Sequence, residues 1–340
     1  MTSRERVKAA VAFQPVDRVP ACFFDGGVWI SKRRNISLEG ILEQPDAGVS
    51  ILLETYRETE SDIAWVGNGL HSLALRALGV KADYSRVGAS AETATMLGDI
   101  ADIHSYDASQ LRAALENDAS MQRLLQQIRG VKAAVGADMY VGSVIGSPFS
   151  AAAVMVGVQK FMELLFDEDE NLPALYDFAV AFCVETAQLL IGAGVDLICL
   201  GDPVASGALI SQGMFEEYAL PLEKRAFDAI HGADIKLLHI CGNTLPRLES
   251  LKTLDIDGFS LDSVDLAQAM QIADGHYAIF GNLSPFAVLE SKTPHEVAGL
   301  SRALCETAGK NGGFVLMPGC DLAPATPLEN ITAMTRAPRG

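Results

Sequence analysis

Val195-Asp196-Leu197-Ile198-Cys199-Leu200-Gly201-Asp202 is an apolar run that stops on a glycine and an acid. Lys236-Leu237-Leu238-His239-Ile240-Cys241-Gly242-Asn243 repeats the design, and residues 215–231 between them carry apolar side chains at helical spacing. A near-continuous apolar run marks a strand buried on both faces, and strand–helix–strand repetition implies parallel pairing. The unit recurs toward the C-terminus at Gly258-Phe259-Ser260-Leu261-Asp262, Ala278-Ile279-Phe280-Gly281-Asn282 and Phe314-Val315-Leu316-Met317-Pro318-Gly319-Cys320. Toward the N-terminus it recurs at Met139-Tyr140-Val141-Gly142-Ser143-Val144-Ile145-Gly146, at Asp62-Ile63-Ala64-Trp65-Val66-Gly67-Asn68, and at Val19-Pro20-Ala21-Cys22-Phe23-Phe24-Asp25. Eight strand candidates separated by helical or loop sequence predict an α/β protein of the (β/α)8 TIM-barrel class, whose chemistry sits on the loops after the strand C-terminal ends. A doubly wound open sheet is the competitor, but no Gly-x-Gly-x-x-Gly turn follows the first strand.

Helical patterns are read at residues 7–13, 37–56, 111–128, 151–166, 172–192 and 215–231. Residues 80–107 break the alternation: Gly, Ser, Thr, Asp and Ala mix without a helical period, which predicts a surface excursion of short strands or loops. The expected organisation is one barrel domain over residues 1–340.

The composition narrows the function classes. A hydrophobic fraction of 49% and a charged fraction of 20% are those of a folded globular chain. The net charge of −17 disfavours nucleic acid or an anionic membrane as partner, since both are bound by clustered Lys and Arg. No run of about 18 apolar residues stands out as a membrane span, and the N-terminus reads as an amphipathic helix and not as a signal peptide. Six scattered cysteines in such a chain read as thiols or ligands, and the expected location is the cytoplasm. A homodimer is compatible with the sequence and not decided by it.

Three residues offer a metal site. His239 and Cys241, two apart on one strand, project to the same face. Cys320 ends another strand 79 positions on (320 − 241). One imidazole and two thiolates suit zinc, and three protein ligands leave a fourth position for water or substrate. The same three residues also read as buried core groups, because free cysteine is among the most buried residue types. Cys22, Cys183, Cys199 and Cys305 lie inside apolar patterns and read as core; His71, His104, His276 and His295 read as surface or packing residues. Asp202 reads either as a turn cap or as a carboxylate facing the metal. Asn243 and Asn282 read as turn formers or as hydrogen-bond donors at the barrel mouth, with Asp25 and Asn68 on the opposite wall.

With these residues in view, the chain resembles the uroporphyrinogen decarboxylase superfamily over nearly its whole length. The matching stretches are Pro15-Val16-Asp17-Arg18-Val19-Pro20, Gly201-Asp202-Pro203-Val204-Ala205-Ser206-Gly207 with Ile210-Ser211 and Phe215, Phe280-Gly281-Asn282-Leu283-Ser284-Pro285, and the tail Pro324-Ala325-Thr326-Pro327-Leu328-Glu329-Asn330. The resemblance implies a (β/α)8 barrel and two alternative chemistries. Decarboxylases of porphyrin precursors carry an arginine-rich loop after the first strand; here that position holds Phe24-Asp25-Gly26-Gly27-Val28-Trp29, without an arginine. Their pyrrole-binding aspartate has no evident counterpart near Asn68, and their C-terminal histidine is replaced by Cys320.

The other branch, the zinc-dependent corrinoid methyltransferases, carries His-x-Cys followed at long distance by Cys, which maps onto His239, Cys241 and Cys320. It implies zinc, a corrinoid (cobalamin) carried by a partner protein, and a small methyl donor (methyl ether or methylamine) or a thiol acceptor. Asp202 and Asn282 are then expected to be catalytic, and Asp25, Asn68 and Asn243 to line the binding site. The Gly26-Gly27 turn and Trp29 suggest an apolar small substrate.

Overall fold

The computed structural model describes residues 1–309 and 311–339. In chain order its strands are β1 (Ile63–Trp65), β2 (Lys81–Asp83), β3 (Ala91–Ala94), β4 (Tyr140–Gly146), β5 (Leu197–Gly201), β6 (Ile235–His239), β7 (Gly258–Leu261), β8 (Ala278–Leu283) and β9 (Phe314–Pro318). Seven of them form one curled sheet in the order β1-β4-β5-β6-β7-β8-β9, with every neighbouring pair parallel. Every residue of β1, β5, β7 and β9 is buried, which is why these strands read as unbroken apolar runs. The register pairs Gly201 with His239 and His239 with Ser260, so these three sit level at the C-terminal rim.

The eighth run departs from expectation. Residues 19–24 form no strand; a single bridge joins Ala21 to Leu316. Leu316 donates to the Pro20 carbonyl at 2.9 Å, Cys22 donates to that of Leu316 at 3.0 Å, and Asp62 donates to that of Ala21 at 2.8 Å. Pro20 has no N–H to extend the ladder, and Asp25 (φ 46°) and Gly26 (φ 80°) then turn the chain left-handed. The segment is held by side chains as well. The buried Asp62 carboxylate accepts from the Ala21 amide (2.8 Å), the Ser3 hydroxyl (2.6 Å), Arg6 (3.0 Å) and Arg18 (2.7 and 2.9 Å).

Helices fill the connections, with breaks where the sequence has breakers. The pattern over 151–166 is two helices, Pro148–Val156 and Val158–Phe166, bent by 104° at Gly157, whose φ is +90°. Pro45 likewise starts a new helix, Pro45–Thr59, within the 37–56 pattern. One helix among the described residues, Leu172–Ala193, is long and apolar enough to cross a membrane, a property the search for an unbroken apolar run missed. It packs against β4 and four helices, with Leu175, Phe178, Phe182, Cys183 and Leu190 buried.

The irregular stretch after residue 80 contains the antiparallel hairpin β2–β3 and a 3-10 turn, Ile100–Ser105. It is tied down by the Met96 and Leu97 amides, both donating to the Met155 carbonyl at 2.9 Å, and by buried Tyr84, Leu97, Ile100 and Ile103.

Candidate metal centre

The ligand-bearing atoms of His239, Cys241 and Cys320 lie within 4.8 Å of one another, the one such trio of possible metal ligands among the described residues. The His239 Nε2–Cys241 Sγ distance is 3.2 Å and the Cys241 Sγ–Cys320 Sγ distance is 3.6 Å. Tetrahedral zinc, with bonds of about 2.3 Å to sulfur and about 2.05 Å to nitrogen, sets ligand separations of about 3.8 Å (S···S) and about 3.6 Å (N···S). A shift of a few tenths of an ångström brings these two separations to the values zinc sets.

Local structure builds this trio. His239 ends β6, and its Nδ1 pairs at 2.8 Å with the hydroxyl of Ser260, buried on β7. If Nδ1 carries the proton, Nε2 is left with its lone pair toward the thiols. Gly242, at φ +81°, reverses the chain immediately after Cys241, and its amide donates to Asp262 Oδ2 at 2.8 Å. Asp262 also packs under the turn before Cys320: a Cβ on Gly319 would lie 2.8 Å from Asp262 Oδ1, so glycine is required there by space. A single residue thus spaces the two cysteine turns. A hydrogen bond from the Cys320 thiol, opposed by burial, holds Cys241 below the ordinary thiol range. The same bond, with burial, pushes Cys320 up. The contact thus biases the shared proton toward Cys320 and gives Cys241 the greater thiolate character, the form a metal needs.

Two expected participants stand behind the site and not in it. Asp202 is fully buried, outside the ligand trio and outside the cavity lining. Its amide donates to the His239 carbonyl at 2.8 Å, and its Oδ1 accepts from Ser150 (2.5 Å) and the Ala205 amide (3.2 Å). The strand ends at Gly201, and the following turn folds the carboxylate inward. Beside it Glu223, also fully buried, has both carboxyl oxygens without a donor, as does Asp202 Oδ2. Burial and the Asp202 charge push Glu223 well up, so it keeps its proton next to Asp202. Sequence reading placed Glu223 within a helical pattern without marking it. Asn282 also lies outside the lining; its amide donates to the Asp262 carbonyl at 3.2 Å and to that of Val264, steadying the turn that spaces the cysteines.

The trio opens into a cavity of about 480 Å³. Phe24, Val144, Ile145 and Val154 give it an apolar wall, and Asp25, His71, Glu92 and Asp321 supply polar groups. Asp25 is in the lining. Its carboxylate accepts from the Gly69 amide (2.8 Å) and faces His71 Nε2 at 3.1 Å. Partial desolvation would lower the His71 pKa, although 42% of the side chain is exposed, but the charge and hydrogen bond of Asp25 outweigh it and hold the imidazole at about 9. Burial and the charge of Asp25 in turn push Asp321 up to about 7.

His71 is therefore a site residue that the sequence reading assigned to surface or packing. Its signal was its place in the loop after a predicted strand end, three residues beyond Asn68. Glu92, from β3, was missed because nothing periodic marks its segment. Asn68 does not line this cavity; its amide donates to the Asp25 carbonyl and props that residue. Asn243 does not line it either, facing a neighbouring cavity of about 400 Å³ with Arg247. Trp29 is buried, its indole N–H donating to the Thr326 carbonyl at 2.8 Å, and contacts no site space.

Residues 2–340 match the family model described as uroporphyrinogen decarboxylase (URO-D). The chain belongs to the URO-D family. Within it, the chain is 30% identical over 345 residues to a methylcobamide:CoM methyltransferase of Methanosarcina acetivorans, covering 98% of this chain and 96% of the relative. It is 29% identical over 347 residues to a methylcobamide:CoM methyltransferase of Methanosarcina mazei, again covering 98% and 96%. A solved structure described as a methyltransferase from Methanosarcina mazei superposes with a TM-score of 0.88 at 22% identity, covering 100% of this chain and 98% of that one, and confirms the URO-D-type fold.

Proposed function

We propose that this URO-D family chain is a zinc-dependent methyltransferase that moves a methyl group between a small substrate and the cobalt of a corrinoid carried by a separate protein. The observation that carries this reading is the convergence of one imidazole and two thiols on one point at the edge of a largely apolar cavity. The methylcobamide:CoM methyltransferases that align along almost the entire chain support it. His239, Cys241 and Cys320 would hold the zinc, leaving one position open. Zinc bound there would act as a Lewis acid on the substrate heteroatom, stabilising a thiolate or loosening a methyl–heteroatom bond.

The chain's own residues do the rest. Ser260 orients His239, Asp262 spaces the two cysteine turns, and Phe24, Val144 and Val154 keep water from the substrate's methyl group. Asp202 and Asn282 act as positioning residues. Bonding of residues 20–22 to Leu316 of edge strand β9 and to Asp62, the residue before edge strand β1, supports closure of the sheet as a (β/α)8 barrel, with residues 1–340 acting as one unit. The alternative, decarboxylation of a porphyrin precursor, requires cations for many carboxylates, and no Lys or Arg is among the described residues lining the cavity.

The test is metal analysis joined to a cobalt assay. The isolated protein should carry about one zinc per chain and interconvert the methyl-Co(III) and Co(I) spectra of a cobalamin in the presence of a thiol or methyl donor. His239→Ala and Cys320→Ala should lose both properties; a metal-free protein with full methyl-transfer activity would overturn the reading.

A further inference from the structure

We infer that the second cavity, built from residues 206–212 and 242–247, binds the oxyanion group, phosphate or carboxylate, of a small molecule, with Arg247 as its cation. The two stretches follow β5 and β6, yet this space of about 400 Å³ shares no lining residue with the metal-centre cavity. Its occupancy depends neither on the metal nor on the methyl-transfer substrate.

Arg247 ends a 3-10 turn, Leu245–Arg247, and is 2% exposed. A guanidinium keeps its charge in a protein, and burying that charge is costly unless it is paired. Arg6, also buried, meets this requirement with the carboxylates of Asp17 (2.7 Å) and Asp62 (3.0 Å). Arg247 does not: among the described residues it forms no ion pair. Its one hydrogen bond runs from Nη2–H to the Ile210 carbonyl at 3.0 Å, and Nε has no partner. The ring centre of Phe215 lies 5.0 Å from the guanidinium carbon. Burial lowers the Arg247 pKa, and the charge of Asp202 offsets only part of that effect. The buried cation is thus under-compensated by the chain itself.

The walls around it suit an anion. Arg247 is the one charged residue among the described residues of the lining. Ser211 Oγ accepts from the Met214 amide at 3.2 Å and keeps its own proton to donate. Asn243 Oδ1 accepts from the Leu245 amide at 3.1 Å, which leaves its NH2 group free. Glu216 stays outside the lining, bonded by Gln212 Nε2 at 2.8 Å and by Ser250 Oγ at 2.7 Å. Gly207 keeps the approach open, since a Cβ there would lie 3.0 Å from Arg247 Nη1 and 3.2 Å from the Asn243 carbonyl oxygen. A guanidinium fork flanked by hydroxyl and amide donors matches the geometry of a phosphate or carboxylate. The volume leaves room for an organic portion as well, being within the span of small-molecule sites, about 300–1,000 Å³.

The experiment is isothermal titration calorimetry on the full chain at fixed ionic strength, with inorganic phosphate, glycerol 3-phosphate and succinate as separate probes. A single saturable site is expected for at least one of them, and the strongest distinguishes phosphate from carboxylate recognition. Arg247→Gln should weaken binding about 10- to 100-fold, the range of a lost hydrogen bond to a charged group. Asn243→Asp alters an exposed side chain, keeps the acceptor for the Leu245 amide and sets a carboxylate at the cavity; it should weaken binding about tenfold or more. Cys320→Ala should leave binding unchanged, which separates this site from anion ligation to a metal.

Absence of saturable binding for all three probes would overturn the inference and show Arg247 to be only a brace for the Ile210 loop. Wild-type affinity in Asn243→Asp would overturn it too, even where Arg247→Gln fails to fold. Binding lost in Cys320→Ala would place the anion at the metal centre and exclude the second cavity.

Discussion

Replacing Ser260 by alanine removes one hydroxyl and nothing else from the proposed metal centre, so its effect isolates how well His239 is held. Ser260 is fully buried on β7, and its Oγ lies 2.8 Å from His239 Nδ1. Without it, the ring's N–H at a buried strand end has no acceptor, which costs about 1–3 kcal/mol. The ring can escape that cost only by rotating or by changing tautomer, and either takes Nε2 out of alignment with the thiols. Loss of an outer partner of a metal-bound histidine lowers affinity by about 10–100-fold, equivalent to about 1.4–2.7 kcal/mol. Zinc affinity is measured by competition with a chromophoric chelator, alongside a thermal melt to show that the fold persists. Ser260→Thr, which keeps a hydroxyl on the same strand, should recover most of the loss. Zinc affinity in Ser260→Ala within about twofold of wild type would refute the assignment of His239 as an oriented ligand.

Two further perturbations probe the frame and the cavity wall. Asp62→Asn leaves Arg6 and Arg18 without their shared buried carboxylate; urea unfolding should show a loss of about 3–5 kcal/mol, and a change below about 1 kcal/mol would mean that this cluster does not anchor the 20–22 segment. His71 is raised from its ordinary 6.5 to about 9. The stability its charge supplies is therefore complete below pH 6.5 and lost as pH rises through about 9, because the unfolded chain releases the proton first. The urea midpoint of wild type should fall across that window, and His71→Gln should flatten the fall. A slope unchanged in the variant would show that the Asp25–His71 contact does not persist in solution.

Why some of this was legible in sequence and some was not follows from particular residues. Seven strands could be read because a parallel strand covered on both faces must be a short unbroken apolar run, and Leu197–Gly201 or Phe314–Pro318 can hardly be anything else. The run at 19–24 looks the same, yet only one residue of it bridges. Its state depends on Pro20, on two distant edge strands and on the Asp62 cluster, none of which periodicity encodes. The hinge at Gly157 was hidden for a related reason: glycine is tolerated inside a helical pattern until the packing around it demands a left-handed φ.

The amino-acid sequence by itself determined the parallel α/β architecture and the candidate ligand trio, since His239 and Cys241 share a strand face and Cys320 ends another strand in the same sheet. Tertiary structure alone decided which polar residues in and after the apolar runs face the cavity. Asp25 does, while Asp202 and Asn282 turn away to brace the backbone and Asn243 faces another opening. It also brought in His71 and Glu92, from a loop and a hairpin without any regular period. Strand alternation is local and fixes which way a side chain points. Beyond the last strand residue, direction is set by turn geometry and by hydrogen bonds to residues tens of positions away, and only the folded chain brings those together.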